Sequence, residues 1–321
     1  MAPYDNTTPK TRLDSFNVYE THFKQIGDHK INVAILVPKD LKPSKVPLAV
    51  KFHGGGLVTG DALFTEWISA WLIPLMHRNN SIMVMPNYRL TPEATGADIL
   101  EDLHDFWTWI NNKGLDTHLA SQGVTLDLDY EQLLVLGDSA GGYMAVQSGL
   151  TRPKGEIKAI LAQYPMIDCP RPTLDSRIMG EVAPPTREWL DENLAAVMKP
   201  GAMLSSSHPF SSGRFLLFFG MNVYKRFDEF FGVGKELWPI TAIEDASYLP
   251  PTTIFHATGD TVVDYQDSVR FVDKMKSVMP DVEVRLTKGI EGDHGFDGEL
   301  KEDEKEWLKT ELQWLESKWL A

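Results

Sequence analysis

Gln132-Leu133-Leu134-Val135-Leu136-Gly137-Asp138-Ser139-Ala140-Gly141-Gly142 is the stretch that decides the fold. An apolar run ends, a Gly-x-Ser-x-Gly follows, and a helical run opens at Tyr143. The order is strand, sharp turn, helix. A serine on such a turn has its hydroxyl lifted above the sheet, and the helix N-terminus behind it favours developing negative charge. Gly137 and Gly141 let the backbone pack closely around the turn. The motif alone is common, and an ordinary glycine-rich turn is the competing reading. The strand–turn–helix context is what makes Ser139 the candidate nucleophile.

Outward from this point, short apolar runs rich in β-branched residues recur at 31–37, 46–52, 81–85, 157–162, 252–257 and 282–286. Many are apolar throughout, as strands buried on both faces of a mostly parallel sheet are. Between them lie stretches of helical period. In 97–111 the residues Ile99, Leu103, Phe106, Trp107 and Ile110 share one stripe, and 265–278 and 302–320 behave alike. Strands alternating with helices predict a doubly wound α/β sheet, with any site beyond the carboxyl ends of its strands. Two stretches break the rhythm. Residues 1–25 precede it and are expected to join a cap. Residues 168–247, rich in aromatics such as Trp189, Phe215, Phe219 and Trp238, read as a helical cap inserted between core segments 26–167 and 248–321.

Val50-Lys51-Phe52-His53-Gly54-Gly55-Gly56 follows another strand signal. Acyl transfer places negative charge on an oxygen, and backbone N–H groups aimed at it are worth several kcal/mol. Gly55, Gly56 and Ala140 are the expected donors, with Gly54 shaping the loop and His53 holding it. No Gly-Lys-Ser/Thr and no G-x-G-x-x-G is present, which argues against a nucleotide site. Of nine histidines, His294 alone follows the last strand signal, in the loop Gly292-Asp293-His294-Gly295-Phe296. His104 and His256 read as packed or solvated side chains. For the acid that orients the base, Asp260 stands in the turn after run 252–257, with Asp264 and Asp267 as runners-up. Asp138 is expected to support the loops around Ser139.

These segments together resemble the hormone-sensitive-lipase-like branch of the α/β hydrolases, and fungal members in particular. The resemblance rests on His53-Gly54-Gly55-Gly56, Tyr88-Arg89-Leu90-Thr91-Pro92-Glu93, Gly137 to Gly142, Asp260-Thr261-Val262-Val263-Asp264 and Asp293-His294-Gly295-Phe296. It covers most of the chain from Val46 onward. It implies an eight-stranded sheet with a cap, a carboxylic ester hydrolase with a Ser139, Asp260, His294 triad, and no cofactor. Tyr143 stands where the family often has Asn, and Thr91 where it usually has Ala. Such departures bear on substrate preference rather than reaction type. Tyr143, Phe215 and Phe219 are the expected substrate contacts. Amide or thioester hydrolysis and acyl transfer by the same triad are alternatives, and a non-catalytic receptor is disfavoured because His294 is retained.

The remaining composition is permissive. The 321 residues carry 31 Lys and Arg against 45 Asp and Glu, a net charge of −14, which disfavours nucleic acid or anionic membrane as partner. Mean hydropathy is −0.22, and no apolar run reaches membrane-spanning length. The single cysteine, Cys169, cannot form an internal disulfide, and no cluster has zinc-ligand spacing. The first residues do not read as a signal peptide, so the sequons at Asn6 and Asn79 are expected to be bare and the location cytoplasmic. A small-molecule ester is the expected partner, and a homodimer is compatible with the sequence.

Overall fold

A computed structural model describes Tyr4 and residues 6–321. Eight strands form one sheet: β1 (Phe16–Ile26), β2 (His29–Pro38), β3 (Lys45–Phe52), β4 (Ile82–Pro86), β5 (Asp127–Asp138), β6 (Ala159–Gln163), β7 (Thr252–Phe255) and β8 (Val284–Leu286). Their spatial order is β1-β2-β4-β3-β5-β6-β7-β8. β1 and β2 run antiparallel, β2 is antiparallel to β4, and the rest pair in parallel.

Ten helices accompany the sheet: α1 (Leu72–Arg78), α2 (Gly96–Asn111), α3 (Gly114–Ser121), α4 (Ala140–Thr151), α5 (Arg187–Val197), α6 (Arg214–Val223), α7 (Phe227–Phe231), α8 (Pro239–Ala242), α9 (Tyr265–Val278) and α10 (Glu306–Trp319). Helix α2 begins at a capping box, in which Asp98 N–H donates to Thr95 Oγ1 and Thr95 N–H to Asp98 Oδ2. Among the described residues, no helix is long and apolar enough to cross a membrane.

The continuous apolar runs have a simple cause. Alternate residues of one strand enter different cores. Leu48, Val50, Leu133 and Val135 face the cluster that includes α2 and α4, while Ala49, Leu134 and Leu136 face α1 and α10. A strand covered on both sides has no polar face to show.

One expectation needs correction. Residues 1–25 were assigned to a cap, but Phe16–Ile26 forms β1, the outermost strand, paired along its length with β2. Apart from Phe16 its side chains are exposed or half-buried, so the apolar pattern that marks the inner strands is missing there.

Residues 168–247 contain α5 to α8 and pack on the loops that follow β3 and β4. Leu90 N–H donates to Leu204 O, and Gly60 and Ser207 pair as an antiparallel bridge. At the start of α6, Arg214 makes a two-pronged ion pair with Glu93 (2.6 and 2.8 Å) and also donates to the carbonyls of Val58 and Thr91. Both charged side chains are buried.

Candidate active site

The site lies beyond the carboxyl ends of the parallel strands. Ser139 sits between β5 and α4 with φ 55° and ψ −115°, a region that costs a non-glycine residue about 1–3 kcal/mol. Three backbone hydrogen bonds hold it there: Ser139 N–H donates to Gln163 O, and Ser139 O accepts from Tyr143 and Met166. Gly141 permits the turn, because a Cβ there would stand 2.1 Å from Phe52 O.

Asp138 meets Lys51 Nζ at 2.6 Å, with the side chains 7% and 1% exposed. Lys51 is the next-to-last residue of β3, just before the glycine loop, so this pair ties that loop to the turn at Ser139. Removing one partner strands a buried charge, at a cost of about 3–5 kcal/mol. Lys51→Met is expected to lose stability on that scale in urea unfolding. A loss below about 1 kcal/mol would mean that the Asp138 carboxylate does not depend on this cation.

The glycine loop is held from below. Tyr88 OH donates to His53 O at 2.7 Å, and the two rings stack with centroids 4.3 Å apart. His53 Nδ1–H donates to Gly54 O at 2.7 Å. Burial lowers the His53 pKa to about 4, so the imidazole is neutral at pH 7 and serves the loop rather than proton transfer. Gly56 has φ +63°, and a Cβ there would lie 2.4 Å from the Phe218 ring. Among the described residues, the N–H groups of Gly55, Gly56 and Ala140 donate no hydrogen bond. Three free amides beside one serine can receive a developing oxyanion.

Beyond β7, the Asp260 side chain is fully buried and faces four N–H groups. Its Oδ1 accepts from Val262 and Val263 at 2.8 and 2.9 Å. Its Oδ2 lies 2.8 Å from His294 Nδ1 and 3.3 Å from His256 Nε2. Burial alone would raise the Asp260 pKa. The His294 charge and the hydrogen bonds from His256 and His294 outweigh it and hold the carboxyl well below the usual range. Asp264 instead caps α9, accepting from Gln266 N–H, and Asp267 pairs with Arg171 and Arg270.

Ser139, His294, Gly55 and Gly56 line one cavity with Trp67, Tyr164, Met179, Phe210, Phe215, Phe218 and Val262. No hydrogen bond joins Ser139 Oγ to His294 in this arrangement, and such contacts often tighten only around a substrate.

Two expected substrate contacts are corrected. Tyr143 is fully buried in the core against Phe231 and Trp238, because its face of α4 points at the helices of residues 227–242. Phe219 packs with Ile178 and Val223, leaving Phe215 and Phe218 as the α6 residues that reach the cavity. Lys51, His256, Tyr164, Trp67, Phe210 and Phe218 were not singled out from the sequence as site residues. His256 alone carried a usable signal, standing four residues before Asp260. Its Nε2 faces two acceptors, Val263 O and Asp260 Oδ2, so that nitrogen carries the proton, and its Nδ1 accepts from Ser268.

A family model described as the alpha/beta hydrolase fold matches residues 49–215. A probable carboxylesterase, M8 of a Phoma species, is 30% identical over 332 residues, spanning 96% of this chain and 98% of that protein. The non-reducing polyketide synthase Preu6 of Preussia isomera is 26% identical over 324 residues, 92% of this chain but 14% of that far longer protein. A structure from work on two fungal esterases of Rhizomucor miehei superposes with a TM-score of 0.63 at 21% identity, covering 99% of this chain and 87% of that one, a likeness of fold.

Proposed function

Since the chain belongs to the alpha/beta hydrolase fold family and is a carboxylic ester hydrolase within it, we propose that it works through Ser139, His294 and Asp260 by way of an acyl-enzyme. The observation that carries this reading is the 2.8 Å contact of His294 Nδ1 with Asp260 Oδ2, on an imidazole that shares a cavity with Ser139. A carboxylate at Nδ1 holds the proton on that nitrogen and leaves Nε2 as the base.

In this mechanism, Nε2 takes the Ser139 proton as Oγ attacks the ester carbonyl. The carbonyl oxygen becomes an oxyanion held by the amides of Gly55, Gly56 and Ala140. The intermediate collapses, and the alcohol leaves with the proton from the imidazolium. Water then enters, gives its proton to Nε2 and attacks the acyl-serine, which releases the acid and restores the site. Asp260 orients the ring and offsets its positive charge, and His256 holds Asp260. Residues 168–247 act as a cap over the acyl and alcohol groups.

The reading is tested with p-nitrophenyl butyrate. Turnover preceded by a burst of p-nitrophenol equal to the enzyme concentration is expected. Turnover with no burst at any substrate concentration, together with no trapped acyl-serine, would count against the covalent route. A second reading passes the acyl group from a thioester, or to an acceptor other than water. The alignment with a segment of a polyketide synthase favours it, since making a polyketide is acyl-group chemistry. Comparing the thiobutyrate with the oxygen ester separates the two.

A further inference from the structure

The cavity has two unlike walls. One continues from the glycine loop. It carries Phe218, packed on Gly56, then Phe215, Phe210 and Trp67. Its rings meet edge to face or tilted: Phe210 and Phe215 lie 6.1 Å apart, Trp67 and Phe210 6.2 Å, and Phe64 backs both Trp67 (5.1 Å) and Phe210 (6.0 Å). Phe210 is 52% exposed, so part of its ring is uncovered at the mouth.

The other wall belongs to the loops that carry Asp260 and His294. Met179 N–H donates to Thr261 Oγ1, and Thr261 in turn donates to Asp293, the neighbour of His294. Its lining side chains beside the imidazole are Met179, Val262 and one ring, Tyr164, whose edge contact is already made with His294 at 4.6 Å. The lining holds no charge that is free to pair with a ligand, because Asp138 is committed to Lys51. A charged substrate group would be desolvated there without a partner.

The chemistry assigns the walls. The leaving oxygen must take a proton from His294, so the alcohol lies along the wall of Met179, Val262 and Tyr164. The carbonyl oxygen points at the Gly55, Gly56 and Ala140 amides. The acyl substituent then has the aromatic wall to itself. We propose that the preferred substrates are neutral esters of an aromatic acid with a small apolar alcohol, a specificity that rests on the mechanism given above. Ring pairs in this geometry attract one another beyond what burial alone supplies. An aromatic acyl group should therefore gain roughly tenfold in kcat/KM over a saturated one of equal size, by contact with two or more rings.

The test compares methyl phenylacetate with methyl cyclohexylacetate, and benzyl acetate with cyclohexylmethyl acetate, each corrected for its alkaline hydrolysis rate. The methylene spacer keeps the carbonyls alike. The expected result is an aromatic preference of roughly tenfold in the first pair and a smaller one, below about threefold, in the second. Phe210→Leu, at the exposed mouth, should bring the first ratio below about threefold, and Trp67→Leu should do the same through a different ring. An aromatic preference in the alcohol series that equals or exceeds the one in the acyl series, or none in either, with these esters still hydrolysed, overturns the assignment of the walls and leaves the hydrolase reading standing. Folded protein that turns over none of the four overturns both.

Discussion

Ser139→Ala is expected to lower ester turnover by roughly 10⁴-fold or more, the scale on which the loss of a triad nucleophile falls in other serine hydrolases. The argument is geometric. Three hydrogen bonds at Gln163, Tyr143 and Met166 fix the backbone of residue 139 in its strained conformation, and none involves the hydroxyl. Alanine bears the same φ as serine at similar cost, so circular dichroism and thermal unfolding should be nearly unchanged. A fluorescent organophosphonate should label the natural protein once and the variant not at all. Labelling that survives the substitution would take the nucleophile's role away from Ser139.

Asp260→Asn is the second large effect, at roughly 10³–10⁴-fold in kcat. The carboxylate accepts N–H groups from Val262, Val263, His256 and His294. An asparagine has one acceptor oxygen and one NH₂. Its oxygen can stay with the two backbone amides, which leaves NH₂ facing two imidazole N–H groups. The way out is for His294 to move its proton to Nε2, and an imidazole protonated there cannot accept from Ser139. Asp264→Asn should be close to neutral, since asparagine caps a helix as well as aspartate does. A severe loss at 264 with little at 260 would reverse the assignment.

The same substitution has a pH signature. The Asp260 pKa is lower in the folded protein than in the unfolded chain. Its stabilisation is therefore complete above about pH 4, the ordinary carboxylate value, and is lost as the pH falls through the lower folded value. The stability gap between the natural protein and Asp260→Asn should be widest near neutral pH and narrow in acid.

Much of this arrangement is legible in the sequence because catalytic order follows chain order. Strand, glycine turn and helix around Ser139 form one local pattern, and Asp260 and His294 each stand just past a strand. The inner strands announce themselves because both of their faces are buried. β1 does not, because Asn17, Glu20 and Gln25 are exposed and Lys24 turns inward only to pair with the carboxylates of Asp102 and Asp105 on α2. Partners from distant segments are harder to read. Lys51 lies 87 residues from Asp138, and only the parallel pairing of β3 with β5 sets them side by side. The aromatic residues of 168–247 could be counted but not aimed. Phe218 and Phe219 are neighbours on α6, and only packing sends one to the cavity and the other to Ile178. Tyr143 was misread for the same reason, since the helices it meets come from the 227–242 stretch.

The Arg214 and Glu93 clamp limits how this scaffold can be recombined. One guanidinium ties two other segments to its own helix: Glu93 and the carbonyl of Thr91 in one, and the carbonyl of Val58 behind the glycine turn in the other. Exchanging residues 168–247 for the matching piece of a relative would import a new side chain at 214 while leaving the old acceptors at 58, 91 and 93. A chimera whose donor lacks that arginine would inherit a buried carboxylate with nothing to neutralise it, and the strain would fall on the segments of residues 58 and 91–93. Swaps in this scaffold must therefore carry Glu93 along with its arginine as one heritable unit.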